Sequence, residues 1–364
     1  MLELDLTREL DRQLSVCNAC RYCEGFCAVF GAAQLRTAIG SGDVAYLANL
    51  CHDCRMCFDA CMFTPPHEFA LNIPAVMTQA RVETYVEYGR PAVLAAMFRR
   101  PGRAAKLAVA AAVVLIALAV ALFAGPEAIR PQLGPGAFYR VIPFAAMLAV
   151  ALGLALYGVI SIALSARSFA RDIGGGVPFV TAATLRTALH EAISLVYLKG
   201  GGSGCYDEHR ESGRRRFFHM LVFWGVMADF AATISAAVLQ DVLHRLPPYP
   251  LWSVPVVLGT GGGLAIVAGA AGLIAVKKRS DPRPMSPRMI ALDYAFLGLL
   301  ELVAITGLAL LVLRSTGAMG SLLVLHLGAV AGLFITAPYG KFVHFVYRFV
   351  ALVKNAHEVM AART

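Results

Sequence analysis

Cys17-Asn-Ala-Cys20-Arg-Tyr-Cys23-Glu-Gly-Phe-Cys27 decides the reading, because its pattern returns as Cys51-His-Asp-Cys54-Arg-Met-Cys57-Phe-Asp-Ala-Cys61. Both runs read C-x2-C-x2-C-x3-C and together hold eight of the nine cysteines. Two-cluster ferredoxins use this spacing: three close thiolates take three irons of one cubane, and the fourth cysteine reaches the other cluster. The expected ligand sets are Cys17, Cys20, Cys23 and Cys61 for one [4Fe–4S] cluster, and Cys51, Cys54, Cys57 and Cys27 for the second. Two plainer readings compete. Disulfides need an oxidising compartment, and nothing like a signal peptide precedes the first run. Zinc sites use two cysteine pairs, which leaves a third cysteine at x2 spacing surplus.

Outward from the runs, residues 1–16 alternate charges with a few leucines, as a short surface helix would. Between the runs, residues 28–50 carry alanine, leucine and valine at helical spacing. Gly40-Ser41-Gly42-Asp43 interrupts them as a break and N-cap. The expectation is a helical two-cluster ferredoxin domain over residues 1–80, not the small β-type. Neither fourth cysteine is followed directly by proline, and Pro65-Pro66 comes four residues after Cys61. Residues 67–104 read as a polar connector, with 81–104 lying between domains and ending in Arg99-Arg100-Pro101-Gly102-Arg103.

The 364 residues are 58% hydrophobic and only 15% charged, too apolar for an ordinary soluble protein. Six apolar stretches are each long enough to cross a hydrocarbon core of about 30 Å. They fall near 105–124, 139–165, 217–240, 251–276, 289–313 and 321–349. The net charge of +9 is concentrated in alternate connectors. The 166–216 segment holds Arg167, Arg171, Arg186, Lys199, Arg210 and Arg214-Arg215-Arg216. Lys277-Lys278-Arg279, Arg283 and Arg288 follow the fourth span, and Lys354 follows the sixth. The positive-inside rule then places the N-terminus, the cysteine runs, the 166–216 segment and a 351–364 tail in the cytoplasm, with 105–350 as the membrane domain. No aromatic-interleaved basic stripe accompanies the charge, so nucleic acid is not an expected partner. Within 166–216, residues 182–198 suit an amphipathic helix and Gly200–Gly204 a flexible break, with Cys205 and His209 behind it. Cys205 reads as an unpaired thiol more readily than as half of a metal pair.

Ionisable residues in a membrane are costly and mark function. His219 begins the third span, while His326 and His344 lie in the sixth, 18 residues apart. On one continuous helix that separation is five turns, or about 27 Å, which puts both on one face at opposite depths. His219 and His344 would then share a depth and could be the two axial imidazoles of a low-spin b-type haem. Arg216, Lys341 and Arg348 would lie nearby for its propionates. The plainer reading is that each histidine bonds a neighbouring helix. His326 lacks an obvious partner; His244 is one candidate, and a quinone site or a five-coordinate haem are others. Asp229 and Glu301, within the third and fifth spans, could carry protons or simply bond another helix. His52, His67, His190 and His357 read as surface residues.

The two cysteine runs, Arg216-Phe-Phe-His219-Met-Leu-Val-Phe-Trp224-Gly225, His326-Leu-Gly328 and Pro338-Tyr-Gly-Lys341-Phe-Val-His344 resemble the tricarballylate utilization protein B family, also called citrate utilization protein B. The resemblance covers nearly the whole chain. It implies two [4Fe–4S] clusters and haem b. It also implies a role in reoxidising the flavin of a separate FAD-dependent dehydrogenase that converts tricarballylate to cis-aconitate, with electrons passing to membrane quinone. A related fusion with a flavoprotein domain serves cobalamin ring contraction. The last four spans also resemble the cytochrome b subunit of respiratory nitrate reductase, which has a further histidine where this chain has Asp229.

The expected architecture is therefore all-α: a helical ferredoxin domain followed by a six-helix transmembrane bundle of cytochrome b type, in a bacterial cytoplasmic membrane. The expected role is a redox subunit, since no G-x-G-x-x-G opens a helix after a strand and no paired-carboxylate or Ser/His/Asp site is evident. A membrane-anchored iron–sulfur sensor is the alternative from another class. A transporter fits less well, because no Gly/Pro-broken helices sit at matching positions in two halves.

Overall fold

The computed structural model describes residues 2–199, 205–207 and 210–363. In chain order the α-helices are α1 (Leu2–Cys20), α2 (Ala28–Gln34), α3 (Ser41–Leu50), α4 (Met56–Asp59), α5 (Ile73–Glu87), α6 (Ala92–Met97) and α7 (Pro101–Phe123). They continue as α8 (Phe144–Gly174), α9 (Ala182–Ser194), α10 (Arg214–Ala237), α11 (Val254–Arg279), α12 (Pro287–Leu313), α13 (Met319–Thr336) and α14 (His344–Ala361). A small antiparallel ribbon pairs β1 (Cys205–Asp207) with β2 (Arg210–Ser212) in the register Cys205↔Ser212. The all-α expectation holds, with that ribbon as its one exception among the described residues.

The two cysteine runs meet because of the spacer between them. Cys27 is the N-cap residue of α2 and Cys51 the C-cap residue of α3. The chain turns between these helices at Gly40, whose N–H donates to the Asp43 carboxylate at 3.1 Å. Packing α2 against α3 therefore returns the start of the second run to the end of the first. Helix α5 is not connector. Ile73, Met77, Ala80, Val82 and Tyr85 are buried in one core with Leu10 and Leu14 of α1 and Tyr46, Leu47 and Leu50 of α3. The 67–104 expectation fails because this stretch alternates buried apolar residues with buried polar ones that bond locally, such as Thr78 donating to Pro74 O at 2.8 Å.

Among the described residues, six helices are long and apolar enough to cross a membrane: α7, α8, Arg214–Val242 (α10 with a terminal π turn), α11, α12 and α13. They carry apolar side chains outward, with Leu115, Leu122, Leu152 and Val312 all more than half exposed. This suits a hydrocarbon solvent, in which the backbone must satisfy itself by helix formation. Small residues set the closest crossings. A Cβ on Gly225 of α10 would lie 2.8 Å from the Gly262 carbonyl of α11. Gly328 and Gly332 of α13, spaced i, i+4, receive Val113 and Val109 of α7 in the same way.

The sixth span is shorter than its apolar pattern suggests. Helix α13 ends at Thr336, a turn precedes a 3-10 segment at Lys341–Val343, and α14 begins at His344. Pro338 disfavours helical backbone at the residue before it and supplies no amide donor, so the ladder cannot continue. His326 and His344 thus occupy different helices, and the five-turn, one-face relation expected for them is wrong. Instead of crossing the bilayer, α14 packs on α2, α3, α8 and α9. Tyr347 sits fully buried among Phe169 of α8 at 4.9 Å and Tyr85 of α5 at 5.6 Å. Arg36 ties α14 to the N-terminal domain through Glu358 at 2.7 Å, and Lys354 lies 4.3 Å from the Tyr46 ring centroid. The side of the bundle that carries the N-terminal domain is called proximal below.

Candidate functional site

The two cysteine runs share a backbone device. The residue after the second cysteine of each, Arg21 and Arg55, has left-handed φ, +55° and +67°. A non-glycine residue there costs about 1–2 kcal/mol and persists where the surroundings demand it. All eight cysteines of the runs are free thiols. Burial first, then neighbouring Cys23, Cys61 and Cys20, push the Cys17 thiol up to about 12. Burial and then Cys54, Cys27 and Cys51 push Cys57 well above the ordinary thiol value. After burial, Cys17 and Cys57 thus each feel the other three members of their expected sets, Cys61 crossing to the first run and Cys27 to the second. Thiols raised in this way ionise only where a cationic centre compensates the thiolates. Among the described residues, no three histidine, cysteine or carboxylate side chains converge as a single-ion site.

The second run is joined to the spans. The carbonyl of Cys51 accepts from Arg348 of α14 at 2.8 Å and also from Arg81 of α5. Arg215, at the start of α10, reaches Asp53 Oδ2 at 3.1 Å. Burial alone would raise the Asp53 carboxyl, but Arg215 and Arg55 outweigh it and hold it below the usual value. His52 is 6% exposed, with its ring tilted against Tyr197 at 5.2 Å, so its expected surface position is wrong. It is buried because the second run is pressed against α14 and the chain after α9. His190 is exposed, and His67 and His357 are half-buried.

One helical turn before Arg348, at i, i+4 on the same face of α14, stands His344. Its ring faces His219 of α10, with centroids 6.4 Å apart and planes at 86°. Two imidazoles sharing one metal through bonds of about 2 Å each bring their centroids roughly 6 Å apart. The two rings therefore stand at the separation that a bis-imidazole iron needs. His344 Nδ1 donates to Lys341 O at 2.5 Å, which leaves Nε2 with the lone pair a ligand needs. Removal from water, then Arg348 and Lys341, hold the His344 imidazole well below its ordinary pKa, in the neutral form. Among the described residues, His219 Nδ1, Arg216 Nε and Arg348 Nε are buried without a hydrogen-bond partner.

Sequence reasoning missed the clamp beneath His344. Asp293 of α12 is buried and takes Lys277 of α11 at 2.7 Å and Lys341 at 2.8 Å. It pins the turn whose carbonyl orients His344. Lys341 is thereby committed to Asp293 and is not the propionate partner expected for it. Arg216 donates to Ser194 O at 3.2 Å. The signal for the clamp was a lone aspartate inside an apolar helix, with lysines ending the neighbouring span.

The remaining membrane candidates stand apart. His326 Nδ1 meets Thr306 Oγ1 of α12 at 3.1 Å, the helix-to-helix bond of the plainer reading. His244 is exposed on the distal loop with φ +52°. Asp229 lies where a Cβ on Gly262 would touch its carboxylate, and Glu301 is half-buried in α12. The side chain of Cys205, all of His209 and the Gly200–Gly204 break lie outside the described residues.

Comparison with known proteins bears on both halves of this arrangement. A family described as citrate utilization protein B matches residues 97–364, and its Fer4-like domain matches residues 10–87. The chain belongs to the citrate utilization protein B family. It is 41% identical over 359 residues to the citrate utilization protein B of Escherichia coli, covering 96% of this chain and 92% of that one. No solved structure matches. As a member of the citrate utilization protein B family, the chain has a ferredoxin-like domain that closes with α5, and a membrane part that includes α14 although α14 packs on the ferredoxin-like domain.

Proposed function

We propose that this protein carries electrons from a separate flavoprotein dehydrogenase to membrane quinone through two [4Fe–4S] clusters and one haem b. When bound, these groups supply one-electron carriers that split a flavin's electron pair into single steps. Cys17, Cys20, Cys23 and Cys61 would hold the first cluster, and Cys51, Cys54, Cys57 and Cys27 the second. His219 and His344 would hold the haem iron from opposite sides. Arg348 and Arg216, with buried unpartnered guanidinium nitrogens, suit its propionates.

One observation carries the reading: α14 presents His344 to His219 and, one turn on, Arg348 to the Cys51 carbonyl. A single rigid helix thus touches the second cysteine run and bears half of the histidine pair. The first run faces solvent, with Cys20 exposed, so a soluble donor can approach it. The family resemblance and the name of the Escherichia coli relative point to a dehydrogenase acting on a citrate-like tricarboxylate, with tricarballylate oxidised to cis-aconitate. The basic connectors support a proximal side that faces the cytoplasm of a bacterial inner membrane.

Optical and electron paramagnetic resonance spectra of the purified protein test this. The expected result is two cubane signals together with low-spin haem bands, all reduced by the dehydrogenase and its substrate. Cubane signals without haem bands would leave an iron–sulfur sensor as the better reading.

A further inference from the structure

Helix α9 presents three faces and only two are explained. Thr184 and Ala188 are buried against α14. Arg186 and His190 are exposed. Between these faces, Leu185, Leu189 and Ile193 recur at i, i+4, i+8 and are 39%, 52% and 46% exposed. Val177 and Val180, just ahead of the helix, are exposed as well. A contiguous apolar stripe rimmed by polar residues marks a surface that something covers.

The depth of this stripe can be read from α8. Along its exposed face, Ile160 and Leu164 are followed at the same helical phase by Arg167 and Arg171. Such a change from aliphatic to arginine on a lipid-facing stripe marks where hydrocarbon gives way to headgroups. The chain then turns at once: Gly175 caps α8 with φ +56°, and Phe179 folds back so that a Cβ on Gly174 would lie 3.1 Å from its ring. Helix α9 therefore starts beside the arginine level, and its last residue, Ser194, accepts from Arg216 at the start of α10 at 3.2 Å.

We propose that α9 lies in the headgroup layer of the proximal leaflet, with Leu185, Leu189 and Ile193 in the acyl boundary. Arg167, Arg171 and Arg186 then meet anionic lipid headgroups. The occupant is lipid because the stripe continues the lipid-facing side of α8 and its rim is cationic. Seated there, α9 backs α14 from the membrane side while the ferredoxin-like domain holds it from the other. The inference does not depend on clusters or haem.

Photocrosslinking in the full chain tests it. A benzophenone amino acid replaces Leu189, Ile160 or His190 in turn, and the protein is illuminated in nanodiscs of phosphatidylethanolamine and phosphatidylglycerol. All three positions are exposed, so folding tolerates the probe. The expected result is phospholipid adducts at Leu189 approaching those at Ile160 and several-fold above those at His190. In native membranes the Leu189 probe should again take lipid. Adducts at Leu189 no higher than at His190, or capture of a protein from native membranes in their place, would overturn the proposal.

Discussion

The two cysteine runs have one sequence pattern and opposite surroundings. In the first, Cys20 is exposed and Tyr22 is 66% exposed; at the matching positions of the second, Cys54 and Met56 are buried. Arg21 bonds its own helix end, through Asn18 O at 3.2 Å, whereas its counterpart Arg55 reaches across to Asp281 O at 2.9 Å. Both runs keep the left-handed bend, so the local fold follows from the motif. The difference lies in what each run packs against. One run is left open to solvent, and the other is bolted to α10 and α14. A repeat has thus been given direction by its surroundings.

Serine in place of a cysteine tests that contrast most severely. Cys20→Ser and Cys54→Ser should each lower iron content by about half if each set holds one cluster. Cys54→Ser should also lower Tm much further, because its run ties the ferredoxin-like domain to the spans. Equal Tm losses would erase the distinction between an open and a bolted run. Next in size is Asp293→Asn, which leaves Lys277 and Lys341 buried without their counter-charge. A loss of about 3–5 kcal/mol is expected in thermal or denaturant unfolding, with iron content of the folded fraction unchanged. Asp293→Glu should recover part of it.

Arg348→Met removes one charge-assisted donor from the Cys51 carbonyl while Arg81 remains. The expected cost is about 1.5–3 kcal/mol in stability. Rapid-mixing spectroscopy should show slower haem reduction with normal reduction of the first cluster. Slowing of both steps would mean that Arg348 also acts on the first run. The smallest effect is expected at the open run. Tyr22→Ala with Met62→Ala should change stability by less than about 0.5 kcal/mol, since both side chains are more than half exposed. It should raise KM for the dehydrogenase partner without altering the iron spectra.

Much of this was legible in the sequence because its signals are local. Cysteine spacing gave the runs, apolar length gave the spans, and Gly40 with Asp43 gave the start of α3. The His219–His344 encounter was also anticipated, though by way of a continuous sixth helix that Pro338 forbids. What the sequence concealed is tertiary. His52 reads as polar loop until α14 covers it. Asp293 reads as a stray charge until α11 and the 340s turn deliver their lysines. The connector around α5 reads as polar because its polar side chains are satisfied inside the core, Arg81 on Ala48 O at 2.8 Å among them.

The central claim is that α10 and α14 meet at one shared iron, held by His219 and His344. Low-temperature optical and electron paramagnetic resonance spectra of His219→Ala, His344→Ala and His326→Ala, each purified from membranes, test it directly. Both His219→Ala and His344→Ala should lose the same low-spin haem signal while both iron–sulfur signals survive in a folded ferredoxin-like domain. His326→Ala, whose ring is bonded to Thr306, should keep it. A normal bis-histidine signal in either His219→Ala or His344→Ala would contradict the pairing.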